Sequence, residues 1–240
     1  MPKIPIIALV VALTLLPAAA WQASTRILFI GNSLTFWNEG VYVHLERFAA
    51  GATPPVSVTT GRSVVPGAFL KSLWQREEPR QAIANGRYDV VVLQEDLPET
   101  TIDDFRQHAR LFVAEARKVN ARPVLLMAWA YDRLGWITME KIAREHGDAA
   151  AELKVEVAPV GLAWQRASAA RPALTLYAPD REHPSLHGTY LATAVVYAVV
   201  FGRSPTGVPY TPAGVTAEDA QFLQNIAWET VEAYRAIPER

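Results

Sequence analysis

The 240 residues carry 23 Lys and Arg against 24 Asp and Glu, for a formal charge of −1, and half of them are hydrophobic. That balance offers no basic stripe to a phosphate backbone, so nucleic acid is excluded as a partner. The chain has no cysteine, which excludes disulfides, thiol catalysis, thiolate metal sites and a cysteine-linked lipid anchor.

The chain opens with Lys3, an apolar run from Ile4 to Leu16 broken only by Pro5 and Thr14, and then Pro17-Ala18-Ala19-Ala20. This order of charge, apolar stretch and small residues predicts a signal peptide over residues 1–20. The run is short against the roughly 20 apolar residues a membrane span needs. The expectation is cleavage, a secreted or periplasmic protein and no stable membrane span; an uncleaved N-terminal anchor is the alternative. Residues 21–240 then suit one domain.

Five short apolar runs follow: Ile27–Ile30, a weaker Val56–Thr59, Val90–Leu93, Val124–Met127 and Val155–Ala158. Continuous runs of this length predict strands buried on both faces, as in a parallel sheet. Between them lie helical patterns. From Ile102, the residues Phe105, Ala109, Phe112, Val113, Ala116 and Val119 share one face. Thr101 with Asp104, and Thr216 with Asp219, mark helix starts. Leu186–Phe201 is apolar nearly all round, which predicts a buried helix, and Ala220, Leu223, Ala227, Val231 and Tyr234 stripe a last one. Residues 202–214, rich in Gly and Pro, predict a surface loop. The alternation predicts a three-layer α/β/α sandwich around a five-stranded parallel sheet. Chemistry in such a domain sits past the carboxyl ends of the strands. His44, His108 and His146 fall in helical stretches and are expected on the surface.

Two segments carry the chemistry. The first run leads directly into Gly31-Asn32-Ser33, where glycine permits a sharp turn and a serine hydroxyl can face the crevice. Near the other end, Asp180-Arg181-Glu182-His183-Pro184-Ser185 puts an acid and an imidazole three residues apart in a loop. Histidine can take a serine proton, and aspartate can fix the imidazole tautomer. Taken alone, the first segment reads as a plain turn and the second as a surface charge pair. His187, four residues after His183, raises a metal site or a replacement base. The helical zinc motif needs a glutamate after its first histidine, however, and Pro184 stands there. No metal or other cofactor is expected.

Together, Ile27-Leu-Phe-Ile-Gly-Asn-Ser-Leu-Thr35 resembles the first signature block of the SGNH (GDSL-like) hydrolases. Asp180-x-x-His183-Pro-Ser, with Gly188 and Tyr190-Leu-Ala192 after it, is similar to their last block. The resemblance spans roughly residues 26–202 and implies the flavodoxin-like SGNH hydrolase fold. It also implies a triad of Ser33, His183 and Asp180. The family's second block supplies a glycine amide to the oxyanion hole, which Gly67 fits best, with Gly61 as runner-up. The third supplies an asparagine side chain. Here Gln94 takes that place, one methylene longer, in Leu93-Gln94-Glu95-Asp96. The implied oxyanion hole is the amides of Ser33 and Gly67 with the Gln94 side chain.

Glu95 and Asp96 are open to a glycosidase-like reading, against a local role in steadying Gln94. Trp129 and Tyr131, after the fourth strand, are expected to line a substrate pocket. Asn32 belongs with that pocket or with the nucleophile turn. The expected function is a serine esterase without a cofactor. Its substrate is a small ester or acylated carbohydrate, such as an O-acetylated polysaccharide. A lipid or lysophospholipid esterase, and a silent carbohydrate-binding protein that keeps the fold, are the alternatives.

Overall fold

The computed structural model describes residues 24–237, so the expected signal at 1–20 lies outside the described residues. Five strands form one parallel sheet: β1 (Thr25–Gly31), β2 (Val58–Val64), β3 (Val90–Gln94), β4 (Arg122–Leu126) and β5 (Glu156–Ala158). Their order is β2-β1-β3-β4-β5. Alternation along each central strand feeds two cores. Ile27, Phe29, Val90, Val92, Val124 and Leu126 face one side, and Leu28, Ile30, Val91, Leu93 and Leu125 face the other. A strand buried on both faces has no polar side to show, which is why these segments read as unbroken apolar runs.

The first face is covered by α2 (Val41–Gly51), α7 (Val160–Ala170), α8 (Leu186–Phe201) and α9 (Ala217–Arg235). The second is covered by α3 (Leu70–Trp74), α4 (Glu77–Gly86), α5 (Ile102–Lys118) and α6 (Met139–Leu153). α8 is apolar all round because it is enclosed, with every residue from Gly188 to Val200 buried. Thr101 and Thr216 cap α5 and α9 by accepting the amides of Asp104 and Asp219, each at 3.1 Å. Among the described residues, no helix is long and apolar enough to cross a membrane.

Two expectations need correction. β2 begins and ends later than Val56–Thr59: its sequence, Val-Thr-Thr-Gly-Arg-Ser-Val, has no apolar run. It is an edge strand held by the β1 ladder from Thr25↔Val58 to Gly31↔Val64. The three helical histidines are buried, not exposed. His44 bonds the Tyr210 hydroxyl and the Asn38 carbonyl, each at 2.7 Å. His108 and His146 turn Nδ1 back to the carbonyls of Asp104 and Ile142. A ring that satisfies a nitrogen within its own helix no longer needs water there.

Candidate active site

After β1 the chain crosses to β2 on one side of it, and later to β3 on the other side. The carboxyl ends of β1 and β3 therefore flank the topological switch point, where the sheet leaves a crevice. The β1 end delivers Asn32 and Ser33, and the β3 end delivers Gln94, Glu95 and Asp96.

Ser33 opens the short helix α1 (Ser33–Phe36), with Asn32 as its cap. Asn32 is held at three points. Its amide donates to Gln94 Oε1 at 2.8 Å, its Oδ1 accepts the Leu34 amide at 3.0 Å, and its Nδ2 donates to Asp96 Oδ2 at 2.9 Å. Gly31 is required by the same packing, since a Cβ there would stand 2.5 Å from Gln94 Oε1.

The second half of the site is a hairpin that projects ahead of α8. Tyr177 and Pro184 pair antiparallel across it. The Ala178 amide donates to the His183 carbonyl at 2.8 Å, and the Ser185 amide to the Leu176 carbonyl at 2.7 Å. Asp180 at the tip folds back on its own loop, where Oδ1 accepts the amides of Glu182 and His183 at 3.0 Å each. Its Oδ2 lies 2.7 Å from His183 Nδ1. Burial works against the Asp180 charge, but the hydrogen bonds from the His183 ring and these amides outweigh it and hold the carboxyl below its ordinary range. A carboxylate only accepts, so Nδ1 carries the ring proton and Nε2 is left as an acceptor. The Ser33 hydroxyl lies 2.8 Å from that Nε2. Ser33, His183 and Asp180 thus form one hydrogen-bonded row.

The hairpin is held against the sheet from two directions. Trp129 stacks on Trp164, with ring centroids 4.0 Å apart, and donates its Nε1–H to the Glu182 carbonyl at 2.9 Å. Asn38 donates to the Pro184 carbonyl and to Thr189 Oγ1, each at 2.9 Å. It sits in a run of three left-handed residues, Asn38, Glu39 and Gly40, that turns the chain from α1 to α2. Trp37, 37% exposed, lies on the His183 ring, with centroids 4.1 Å apart and planes 21° from parallel. Beside the hairpin runs a groove of about 690 Å³ lined by Trp37, Tyr177, Pro179, Arg181, Asp132 and Ser185, among others.

Other candidates stand differently from expectation. Asn32, Trp129 and Tyr131 are each 1% exposed, so they line no open pocket. Asn32 shapes the nucleophile turn, Trp129 carries the hairpin, and the Tyr131 hydroxyl donates to Asp96 Oδ1 at 2.7 Å. Gln94 is wholly buried; its carbonyl end serves Asn32, while Nε2 is closed to solvent and has no partner among the described residues. Reversing the amide would set two donors against each other at Asn32, so the orientation is fixed. Gly67 is exposed with φ +61°, and no hydrogen bond engages its amide among the described residues. Gly61, the runner-up, lies within β2, where any side chain would strike Tyr88.

Glu95 and Asp96 do not steady Gln94. Glu95 accepts the Asp96 amide at 2.8 Å and, more weakly, the Leu70 amide. Burial raises Glu95 to about 8 and Asp96 to about 6. His187 faces Asp219 at 3.6 Å rather than Ser33. Among the described residues, no group of three or more metal-ligating side chains is present. The sequence reading missed Trp37 and Asn38 altogether. No local pattern marks either one, and their contacts are made across about 146 positions of chain.

The sheet order and the position of this row define the α/β fold of SGNH-like hydrolases. No protein-family profile matches the chain, and no curated protein does. Among solved structures, a DUF4886 family protein from Bacteroides uniformis ATCC 8492 aligns with a TM-score of 0.74 and 18% identity, over 90% of this chain and 98% of its own. A protein from Slackia heliotrinireducens, proposed to be an SGNH hydrolase, aligns at 0.61 and 26% identity, over 74% of this chain and all of its own. An acetylxylan esterase, Axe2, from Geobacillus stearothermophilus aligns at 0.56 and 19% identity, over 74% of this chain and 93% of its own.

Proposed function

We propose that the protein is a serine esterase that hydrolyses carboxylic esters, with Ser33 as nucleophile, His183 as general base and acid, and Asp180 orienting the imidazole. One observation carries this reading. The Ser33 hydroxyl and the Asp180 carboxylate meet opposite nitrogens of one imidazole, at 2.8 and 2.7 Å. Ser33 Oγ attacks the ester carbonyl while His183 Nε2 takes its proton. The imidazolium is matched by the Asp180 charge, and it then protonates the leaving alcohol. Water repeats the sequence on the acyl-serine and releases the acid. The oxyanion falls to the amides of Ser33 and Gly67, neither of which is engaged by a hydrogen bond among the described residues. Gln94 Nε2 is a further donor at the β3 end without a partner among the described residues, and an acyl oxygen reaches it only by displacing what covers it.

A short acyl group on carbohydrate is the substrate we favour. Axe2 is a precedent on this fold, and Trp37 offers an exposed aromatic face beside His183. With residues 1–20 acting as an export signal, the reaction takes place outside the cytoplasm. The test is hydrolysis of p-nitrophenyl acetate and labelling by a fluorophosphonate probe, for the purified protein and Ser33→Ala. Turnover should fall by a factor on the order of 10⁴ or more in the variant, and labelling should vanish. Equal rates, or labelling that persists in Ser33→Ala, would remove Ser33 from its role. Acetate release from acetylated xylooligosaccharides then tests the substrate.

A further inference from the structure

We propose that Asp96, acting with Tyr131, is a positioning residue for the Ser33 hydroxyl: as the carboxylate it holds Asn32, and through Asn32 the turn that carries Ser33. The inference rests on the esterase reading and goes beyond the triad and the oxyanion donors.

Asn32 immediately precedes Ser33, and its side chain has two tasks that fix each other. Oδ1 caps α1 at the Leu34 amide only while Nδ2 points at Asp96. Turning the amide over would set its NH₂ against the Leu34 N–H and its oxygen against a carboxylate. Asp96 meets donors on both oxygens: Asn32 Nδ2 on Oδ2 and the Tyr131 hydroxyl on Oδ1. An ionised carboxylate accepts both. A proton on Oδ2 would face a group with only hydrogens to offer. A proton on Oδ1 would force the Tyr131 hydroxyl to turn and lose its acceptor. All three side chains are buried, so water does not substitute for a lost partner.

Tyr131 also ties this network to the other half of the site. Two residues earlier, Trp129 carries the Glu182 carbonyl of the hairpin. The segment after β4 thus braces Ser33 through Asp96 and Asn32, and braces His183 through Glu182. One short piece of backbone contributes to holding both Ser33 and His183.

The groups facing Asp96 define its titration. Asn32 and Tyr131 donate to it from the β1 and β4 ends. Glu95, its neighbour, is held neutral by burial up to about 8. Glu99 from the same connection and Glu182 from the hairpin oppose its charge, and both are paired with Arg133. Burial is the largest influence and lifts Asp96 to about 6, while the two donors pull it down.

The experiment measures kcat and KM for p-nitrophenyl acetate between about pH 4.5 and 9, with fluorophosphonate labelling rates in parallel. It compares the wild type, Asp96→Asn and Tyr131→Phe. Tyr131→Phe removes a donor to the carboxylate, so the acid limb of kcat should move to higher pH. Asp96→Asn should lower kcat by up to about 10²-fold, the scale of a 1 Å misplacement. KM should stay within about twofold, and one ionisation should disappear from the acid limb. An acid limb unmoved in Tyr131→Phe overturns the proposal, as does wild-type kcat in a folded Asp96→Asn. If Asp96→Asn does not fold, the Tyr131→Phe profile decides alone. A wild type that neither turns over nor labels sinks the esterase reading, and this inference with it. A labelled, active wild type with unaltered variants sinks only the inference.

Discussion

Between about pH 6.5 and 8 the folded chain keeps a proton on Glu95 that the unfolded chain has lost, because burial raises its carboxyl to about 8 while an ordinary glutamate titrates near 4.3. The Asp96 and Leu70 amides pull the other way, but less strongly. The folded state therefore binds one more proton, and stability falls as pH rises. One proton is worth about 1.4 kcal/mol per pH unit. Because Glu95 begins to lose its proton at the top of the window and buried histidines oppose it at the foot, the window holds roughly 1 kcal/mol. For a domain of this size the melting temperature should fall by about 2–4 °C. At the foot of the window and below it two histidines act in opposition, since an unfolded histidine titrates near 6.5. Burial lowers His44, and lowers His146 to about 4, so the unfolded chain takes up protons there that the folded chain refuses. Their effect largely offsets Glu95 and Asp96 at about pH 6.5 and is spent only towards about pH 8. Thermal unfolding followed by circular dichroism at constant ionic strength reads the slope. Glu95→Gln, which mimics the neutral acid and keeps an acceptor for both amides, should flatten it. A melting temperature that holds or rises in the wild type across the window, or an equal fall in Glu95→Gln, would refute the argument.

Gln94→Leu strips the Asn32 amide of its acceptor and should lower stability by about 1–3 kcal/mol, with kcat falling by about 10² as the turn that carries Ser33 shifts. Urea unfolding and ester hydrolysis test both, and an unchanged kcat would show that the turn holds without Gln94. Trp129→Phe keeps a ring against Trp164 but loses the bond to the Glu182 carbonyl. We expect a stability loss of about 1 kcal/mol and a kcat about tenfold lower, whereas wild-type turnover would show that the hairpin stands without that bond.

What the sequence made legible follows from periodicity and from fixed residue spacing. β1, β3 and β4 announce themselves as apolar runs because both faces are covered. α5 and α9 show their stripes and their threonine caps. β2 stays nearly silent, since an edge strand of Thr, Gly, Arg and Ser is specified by its neighbour's ladder. The histidines misled because a helical position says nothing about which face is covered. In the site, the short blocks around Ser33 and His183 pointed to the residues that meet. The residues that hold them did not declare themselves. Trp129 and Tyr131 invited a pocket-wall reading through their chemical type, yet both are consumed by hydrogen bonds to partners 53 and 35 positions away. Asn38 and Trp37 sit at a left-handed turn that Asn and Gly favour, but local propensity says nothing of the distant residues they meet.

α8 begins three residues beyond His183, with Ser185 as its cap, and every residue from Gly188 to Val200 in it is buried. Ser33 hangs from β1, which has a strand on either side. Each half of the reactive row is thus rooted in elements that local fraying reaches last. Loss of the chemistry on heating should coincide with cooperative collapse of the whole domain, with no earlier stage in which a compact protein has already gone quiet.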